Sequence, residues 1–146
     1  RDLRMSRGLG DVYKRQQPDT ALHNASHLMQ YHDLIESIVA ALDARDAYTA
    51  SHSDRVADMV LVLAAALGLD EDETTRIHMA AHLHDIGKIA INEDILNKPG
   101  RLTAEEFEVM KTHSLVGAEM LKKLPAYEDE PLIKTAYEIC RWHHER

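Results

Sequence analysis

The sequence predicts an all-α domain. Three observations carry this: apolar residues recur at three- and four-residue spacing along most of the chain, aromatic residues make up only 5% of it, and the six glycines and four prolines are too few for a turn-rich β fold. With 146 residues the chain suits one domain with a sizeable core.

The elements follow in order. Residues 20–46 read as a first helix, on which Leu28, Tyr31, Ile35, Ile38 and Leu42 alternate three and four apart. Two readings fit this coiled-coil-like stripe. It is a core helix, the reading preferred for the second half, or residues 17–34 form a connecting helix from an upstream sensor or receiver domain, paired in a homodimer. Thr49 is the expected N-cap of a second helix over 50–67, with Val56, Met59, Val60, Leu63 and Leu67 as its buried stripe. Gly68 ends it. Asp70 with Glu73 resembles a capping box opening a helix that runs to about Asp85. Ile77, Ala80, Ala81 and His84 share one face, and Gly87 is expected to break the helix.

A loop with a short helix follows, closed by Pro99-Gly100. Thr103 and Glu106 make another capping box, for a helix to about Leu121 with Val109, His113, Val116 and Met120 on one face. Pro131 opens the last helix. Leu132, Ala136, Ile139 and His143 line one stripe of it, and Ile133, Tyr137, Cys140 and His144 the adjoining one.

Bulk properties exclude several functions. A formal charge of −8 argues against a nucleic acid polymer as the partner. The longest apolar run, residues 59–69, is too short to span a bilayer, and no secretory signal is visible. A single cysteine, Cys140, excludes an internal disulfide and fits a reducing, cytoplasmic compartment. Residues 1–16 lack apolar periodicity, and their last six resemble a translated transposon-adapter end used in sequencing libraries. They are therefore expected to be a non-native tail.

Histidine is the outlier, with ten copies. His52, His84, His113, His143 and His144, with Asp85, come from four helical segments and sit on apolar stripes or at helix ends. One inward histidine is usually a hydrogen-bonded core residue. Several on separate helices rarely find separate partners. Imidazoles around a carboxylate suit a divalent metal, and iron, manganese and zinc all fit; the lone Cys140 leaves no thiolate set. The two oxygens of Asp85 can bridge two ions, which suggests a dinuclear site. Lys88, about one turn on, is placed to neutralise a phosphate oxygen, although alone it would read as a surface lysine. His23, His27 and His32 read as solvated. His78 and His82, at i and i+4, flank the stripe and read as non-ligands.

In order along the chain stand His52-Ser53-Asp54-Arg55-Val56, Leu83-His84-Asp85-Ile86-Gly87-Lys88-Ile89, Ile95-Leu96-Asn97-Lys98-Pro99-Gly100-Arg101-Leu102-Thr103, Lys111-Thr112-His113 with Gly117-Ala118, and His143-His144-Glu145-Arg146. This series resembles the HD-GYP family, bacterial phosphodiesterases for cyclic di-GMP within the HD superfamily of metal phosphohydrolases. The resemblance covers residues 35–146. It implies an HD-domain helical bundle, truncated at its C-terminus before the GYP motif and a later aspartate ligand, with an extra N-terminal helix. A fragment of that kind is expected to bind metal poorly, and the activity to belong to a longer parent.

The resemblance also implies that His52, His84, Asp85, His113, His143 and His144 hold two divalent metals, iron or manganese first and zinc as a third choice. Asp85 would be the bridge. Lys88 would contact the substrate phosphate, Arg146 would shape the substrate pocket, and Glu145 would orient a neighbouring histidine. Tyr48 occupies the position of a glutamate that binds a third metal in some members, so two metals are expected. The implied reaction is two-metal hydrolysis of cyclic di-GMP by a metal-bridging hydroxide, giving pGpG, and GMP after a second cut. Two other readings stay open: a general HD phosphohydrolase acting on nucleotides, and a degenerate signalling module that binds without hydrolysis.

Overall fold

Helical periodicity becomes six α-helices and two 3₁₀ turns, with no strand among the described residues. The computed structural model describes residues 20–46 and 52–145, with side chains from residue 30 onward. The helices are α1 (Thr20–Asp43), α2 (His52–Leu67), α3 (Glu71–His82), α4 (Glu93–Leu96), α5 (Ala104–Lys122) and α6 (Pro131–Trp142). A 3₁₀ turn, Ile86–Ala90, lies between α3 and α4, and another, Pro125–Tyr127, between α5 and α6. Contacts divide the chain into two units, one ending at Leu34 and the other beginning at Ile35. The second unit contains the core and every site residue described below. No helix among the described residues is long and apolar enough to cross a membrane.

The core gathers Ile35 and Val39 from α1, Met79 and Ala80 from α3, Leu83 and Ile86 beyond it, Leu121 from α5, and Ala136 and Cys140 from α6. Removing this apolar surface from water is the main favourable term for the bundle. Local chemistry fixes the helix starts. Thr103 and Glu106 form the reciprocal capping box at α5. Asp70 accepts from the Glu73 amide at α3, one half of such a box. Pro131 sits in the first turn of α6. Gly68, at φ 69°, closes α2.

Four expectations are corrected. On α2 the buried residues are Ser53, Ala57 and Ala64, whereas Met59, Leu63 and Leu67 are exposed. The helix lies against α3, and small side chains give the closest approach, which turns the long ones outward. On α1 the buried stripe is Ile35, Val39 and Leu42, and Tyr31 and Ile38 are exposed. The spacing of four from Ile35 to Val39 follows a straight helix better than the coiled-coil spacing does. On α5, His113 is buried as expected, but Val109 and Met120 are exposed and Gly117, Ala118 and Leu121 take the inner face. Finally, α3 ends at His82, short of the expected Asp85, and the chain passes into a 3₁₀ turn before Gly87. The Thr49 cap lies outside the described residues, and Leu28 lies in α1 outside the described side chains.

Gly87 has a different task from ending a helix. A Cβ there would stand 1.8 Å from the His113 carbonyl oxygen and 2.6 Å from the Gly117 nitrogen. A Cβ on Gly117 would in turn meet the Cys140 sulfur at 2.5 Å and the Gly87 nitrogen at 2.8 Å. The 3₁₀ turn and α5 therefore touch backbone to backbone through two glycines. Gly87→Ala is expected to destabilise the domain by about 3 kcal/mol or more, the upper end of overpacking costs, because the obstacle is main chain and cannot repack. Urea denaturation followed by circular dichroism measures this, and a loss below about 1 kcal/mol would contradict the tight contact.

Candidate metal centre

The end of α3 sets the geometry. Beyond His82 the chain turns through Leu83 and His84, where the His84 amide bonds to the Ala81 carbonyl, and enters the 3₁₀ turn at Ile86. Tight turns bring the side chains of His84, Asp85 and Lys88 to one side, which a continued α-helix would not do for the first two. His52 opens α2, His113 sits in the middle of α5, and His143 and His144 follow the last residue of α6. His84, Asp85 and His113 are buried. All these residues line one cavity of about 700 Å³, within the usual range for small-molecule sites of about 300–1,000 Å³.

Three histidines are held alike. Nδ1 of His84 lies 2.9 Å from the Ala81 carbonyl oxygen, Nδ1 of His113 2.6 Å from that of Met110, and Nδ1 of His143 2.8 Å from that of Cys140. A carbonyl only accepts, so each Nδ1 carries a proton, and a ring holding that proton alone presents its Nε2 lone pair inward. Those lone pairs meet acceptors. Nε2 of His113 is 3.2 Å from Asp85 Oδ1, and Nε2 of His143 is 3.5 Å from the same oxygen. Nε2 of His84 is 3.2 Å from Asp85 Oδ2. Nε2 of His113 also lies 3.3 Å from that of His143 and 3.2 Å from that of His144. Acceptors facing acceptors at these distances repel unless a cation lies among them or the imidazoles take a second proton.

Electrostatics favours the cation. Burial works to raise the Asp85 carboxyl, but positive charge on its His113, His143 and His84 side, whether a second proton on those rings or a cation among them, outweighs burial and holds the group well below the usual carboxylate range. Burial, then the neighbouring His84, lowers His52; burial, then His143 and His113, lowers His144. Those two histidines are thus neutral and ready to ligate at pH 7. The donor atoms form two groups: His52, His84 and Asp85, and Asp85, His113, His143 and His144, each within 4.8 Å of one another. Asp85 alone belongs to both. The donor set fits divalent ions of intermediate hardness, and three of its histidines have the outward carbonyl partners usual for metal-binding histidines.

Lys88 stands beside this set. Its ammonium is 2.8 Å from Asp85 Oδ2 and 3.3 Å from Asp46 Oδ2. Burial works to lower Lys88, but the bond and charge of Asp85, then Asp46, prevail and raise it, so it stays cationic. Asp46 is itself buried and lines the cavity. It was missed in the sequence, although 35, 39, 42 and 46 continue one buried stripe and a carboxylate on such a stripe needs a cationic partner. Arg45 fixes this corner: its guanidinium donates to the Ile89 carbonyl at 2.9 Å and the Ile91 carbonyl at 3.3 Å, and its own carbonyl accepts from Asn97 Nδ2 at 2.7 Å.

The structure thus brings His52, His84, Asp85, Lys88, His113, His143 and His144 to one cavity, with Glu145 on its lining. Arg146 and Tyr48 lie outside the described residues. His78 and His82 line no part of this cavity; Nδ1 of His78 bonds to the Ala57 carbonyl at 3.0 Å, and Nδ1 of His82 is 3.7 Å from Asp54. Cys140 is a core thiol pushed up to about 11 by burial and then by the Asp85 charge.

Comparison with known proteins is consistent with this centre. The HD domain model matches residues 49–146. The cyclic di-GMP phosphodiesterase of Thermotoga maritima is 39% identical over 121 residues, covering 80% of this chain and 32% of that protein. The 3'3'-cGAMP-specific phosphodiesterase 2 of Vibrio cholerae is 39% identical over 114 residues, covering 78% and 21%. The cyclic di-GMP phosphodiesterase response regulator RpfG of Xanthomonas campestris is 38% identical over 114 residues, covering 78% and 29%. The chain spans a third or less of the length of these relatives.

Divalent cations are expected to stabilise the fold by relieving this lone-pair crowding. Chelation at pH 7 should lower the melting temperature, since a ligand at 100 times its Kd adds about 2.7 kcal/mol. Calorimetry with and without chelator reads the difference, and Asp85→Asn should abolish it. A melting temperature indifferent to chelation in the metal-loaded wild type would count against the assignment.

Proposed function

The chain belongs to the HD domain family, and from that premise we propose that its histidine-aspartate centre hydrolyses a phosphodiester bond of cyclic di-GMP, in the manner of the HD-GYP branch, releasing linear pGpG. The observation that carries the reading is the sharing of Asp85 between two donor groups, with Lys88 cationic against the same carboxylate. The relatives named as cyclic di-GMP phosphodiesterases supply the substrate. One of comparable identity is named for 3'3'-cGAMP, and that dinucleotide is the second reading.

In this proposal His52, His84 and Asp85 would hold one divalent ion, and Asp85, His113, His143 and His144 a second; the donor set suits iron, manganese or zinc, and the family resemblance puts iron or manganese first. Such ions supply Lewis acidity and lower the pKa of water toward neutrality. The chain's own part is to fix charge and orientation. The carbonyls of Ala81, Met110 and Cys140 keep three imidazoles in one tautomer with Nε2 inward. Lys88 carries the positive charge that an anionic phosphodiester needs in a chain of net charge −8. Asp46 and Asp85 hold its ammonium at the cavity, where it can donate to a phosphate oxygen as charge builds there.

The test is turnover of cyclic di-GMP and 3'3'-cGAMP by the metal-loaded full-length gene product, with products separated by chromatography. Asp85→Asn is expected to remove most bound metal and all activity. Lys88→Gln should keep the metal and lose about 10²–10³-fold in kcat, as for other groups that stabilise developing charge. Two bound metals with no hydrolysis of either dinucleotide would falsify the reading.

A further inference from the structure

We propose that Phe107 and Lys111, on the α5 side of the cavity lining, form a subsite that binds one guanine base of the substrate. The inference rests on the phosphodiesterase reading above and extends it to base recognition. Four observations on the same wall support it. Phe107 is the only phenylalanine in the chain, and its side of α5 opens on the cavity that holds the histidine cluster. It remains 54% exposed, so core packing does not account for an aromatic there. Leu96 and Met110 also line the cavity, giving an apolar stretch beside the charged floor. The Lys111 ammonium lies 5.5 Å from the Phe107 ring centroid.

The chemistry selects a purine. A phosphodiester placed against Lys88 and the histidines leaves its bases in the remaining cavity, and an exposed aromatic face is the group on which a base stacks. Lys111 then decides between purines. An ammonium has three donors and no acceptor. Guanine presents O6 and N7 as acceptors on one edge, whereas adenine presents an N6 donor beside its N7. Lys111 therefore favours guanine. Its present partner, Glu108 at 2.6 Å, forms a pair exposed on both sides, 51% and 70%. Such surface pairs are weak, which leaves the ammonium available to a ligand.

The experiment compares wild type with Phe107→Leu, Phe107→Trp and Lys111→Gln in the metal-loaded full-length gene product. The readouts are KM and kcat for cyclic di-GMP and 3'3'-cGAMP, metal content, and calorimetric binding of GMP and AMP. Phe107→Leu keeps apolar bulk but removes the stacking face, and should raise KM about tenfold or more with a much smaller change in kcat. Phe107→Trp should restore KM. Lys111→Gln should weaken GMP binding more than AMP binding. An unchanged KM in Phe107→Leu, or a loss of metal that Phe107→Trp does not rescue, overturns the subsite. If the wild type hydrolyses neither dinucleotide, the phosphodiesterase reading fails by itself. The subsite then stands if wild type binds GMP and Phe107→Leu does not, and falls if wild type binds no GMP.

Discussion

The close contact of Gly87 with Gly117 is the constraint on which the site depends. The Asp85 carboxylate comes from a turn and the His113 imidazole from the middle of a helix, and they meet at 3.2 Å. The backbone contact at Gly87 brings those two segments together beside the pair. The space left at Gly87, where even a Cβ would overlap the His113 carbonyl, is what the two glycines provide. Cys140 completes the contact from the third side, its sulfur 3.6 Å from the Ser114 carbonyl oxygen. The buried Cys140 side chain is small enough for this close approach. The packing of α5, α6 and the 3₁₀ turn thus serves the site directly.

Given that proximity, charge and tautomer determine what the site can hold. The outward carbonyls commit the Nδ1 protons of three histidines, so their inner faces are all acceptor. An ionised carboxylate at the centre makes the interior a trap for cations, and Lys88 occupies only one side of it. Oδ2 of Asp85 meets His84 and Lys88, whereas Oδ1 meets His113 and His143. The two oxygens thus face different partners, one the His84 and Lys88 side and the other the His113 and His143 side.

Much of this was legible in the sequence, and the part that was not has a physical cause. The all-α class, the caps at Asp70 and Thr103, Pro131 at the start of α6 and the inward histidines follow from spacing and local hydrogen bonding, which act within a few residues. The faces of α1, α2 and α5 were partly misread because each helix is apolar on more than one side. Met59, Leu63 and Leu67 are as hydrophobic as any core residue, and only the approach of α3 decides that Ala57 and Ala64 go inward. Gly87 looked like a helix breaker because glycine usually is one; its contact with Gly117 spans thirty positions and has no local signature. Asp46 continues the buried stripe of Ile35, Val39 and Leu42, but the partner that explains a carboxylate there, Lys88, is 42 residues away.

Asp46 also shows how a site with so much buried charge is kept in register. A buried lysine between two carboxylates is stable only while all three groups stay in place, because removing one partner leaves an uncompensated charge in a poorly solvated region. The chain holds this corner by backbone-directed bonds. Arg45 spans two carbonyls of the 3₁₀ turn and the strand of chain after it, and Asn97 at the end of α4 returns a bond to Arg45. The residue that supplies the clamp is thus the immediate neighbour of the residue that supplies the charge. Shifting the backbone at Arg45 and Asp46 would disturb the Arg45 bonds to Ile89, Ile91 and Asn97. The position of the ammonium is therefore set by the fold around it, and its charge by the two carboxylates it joins.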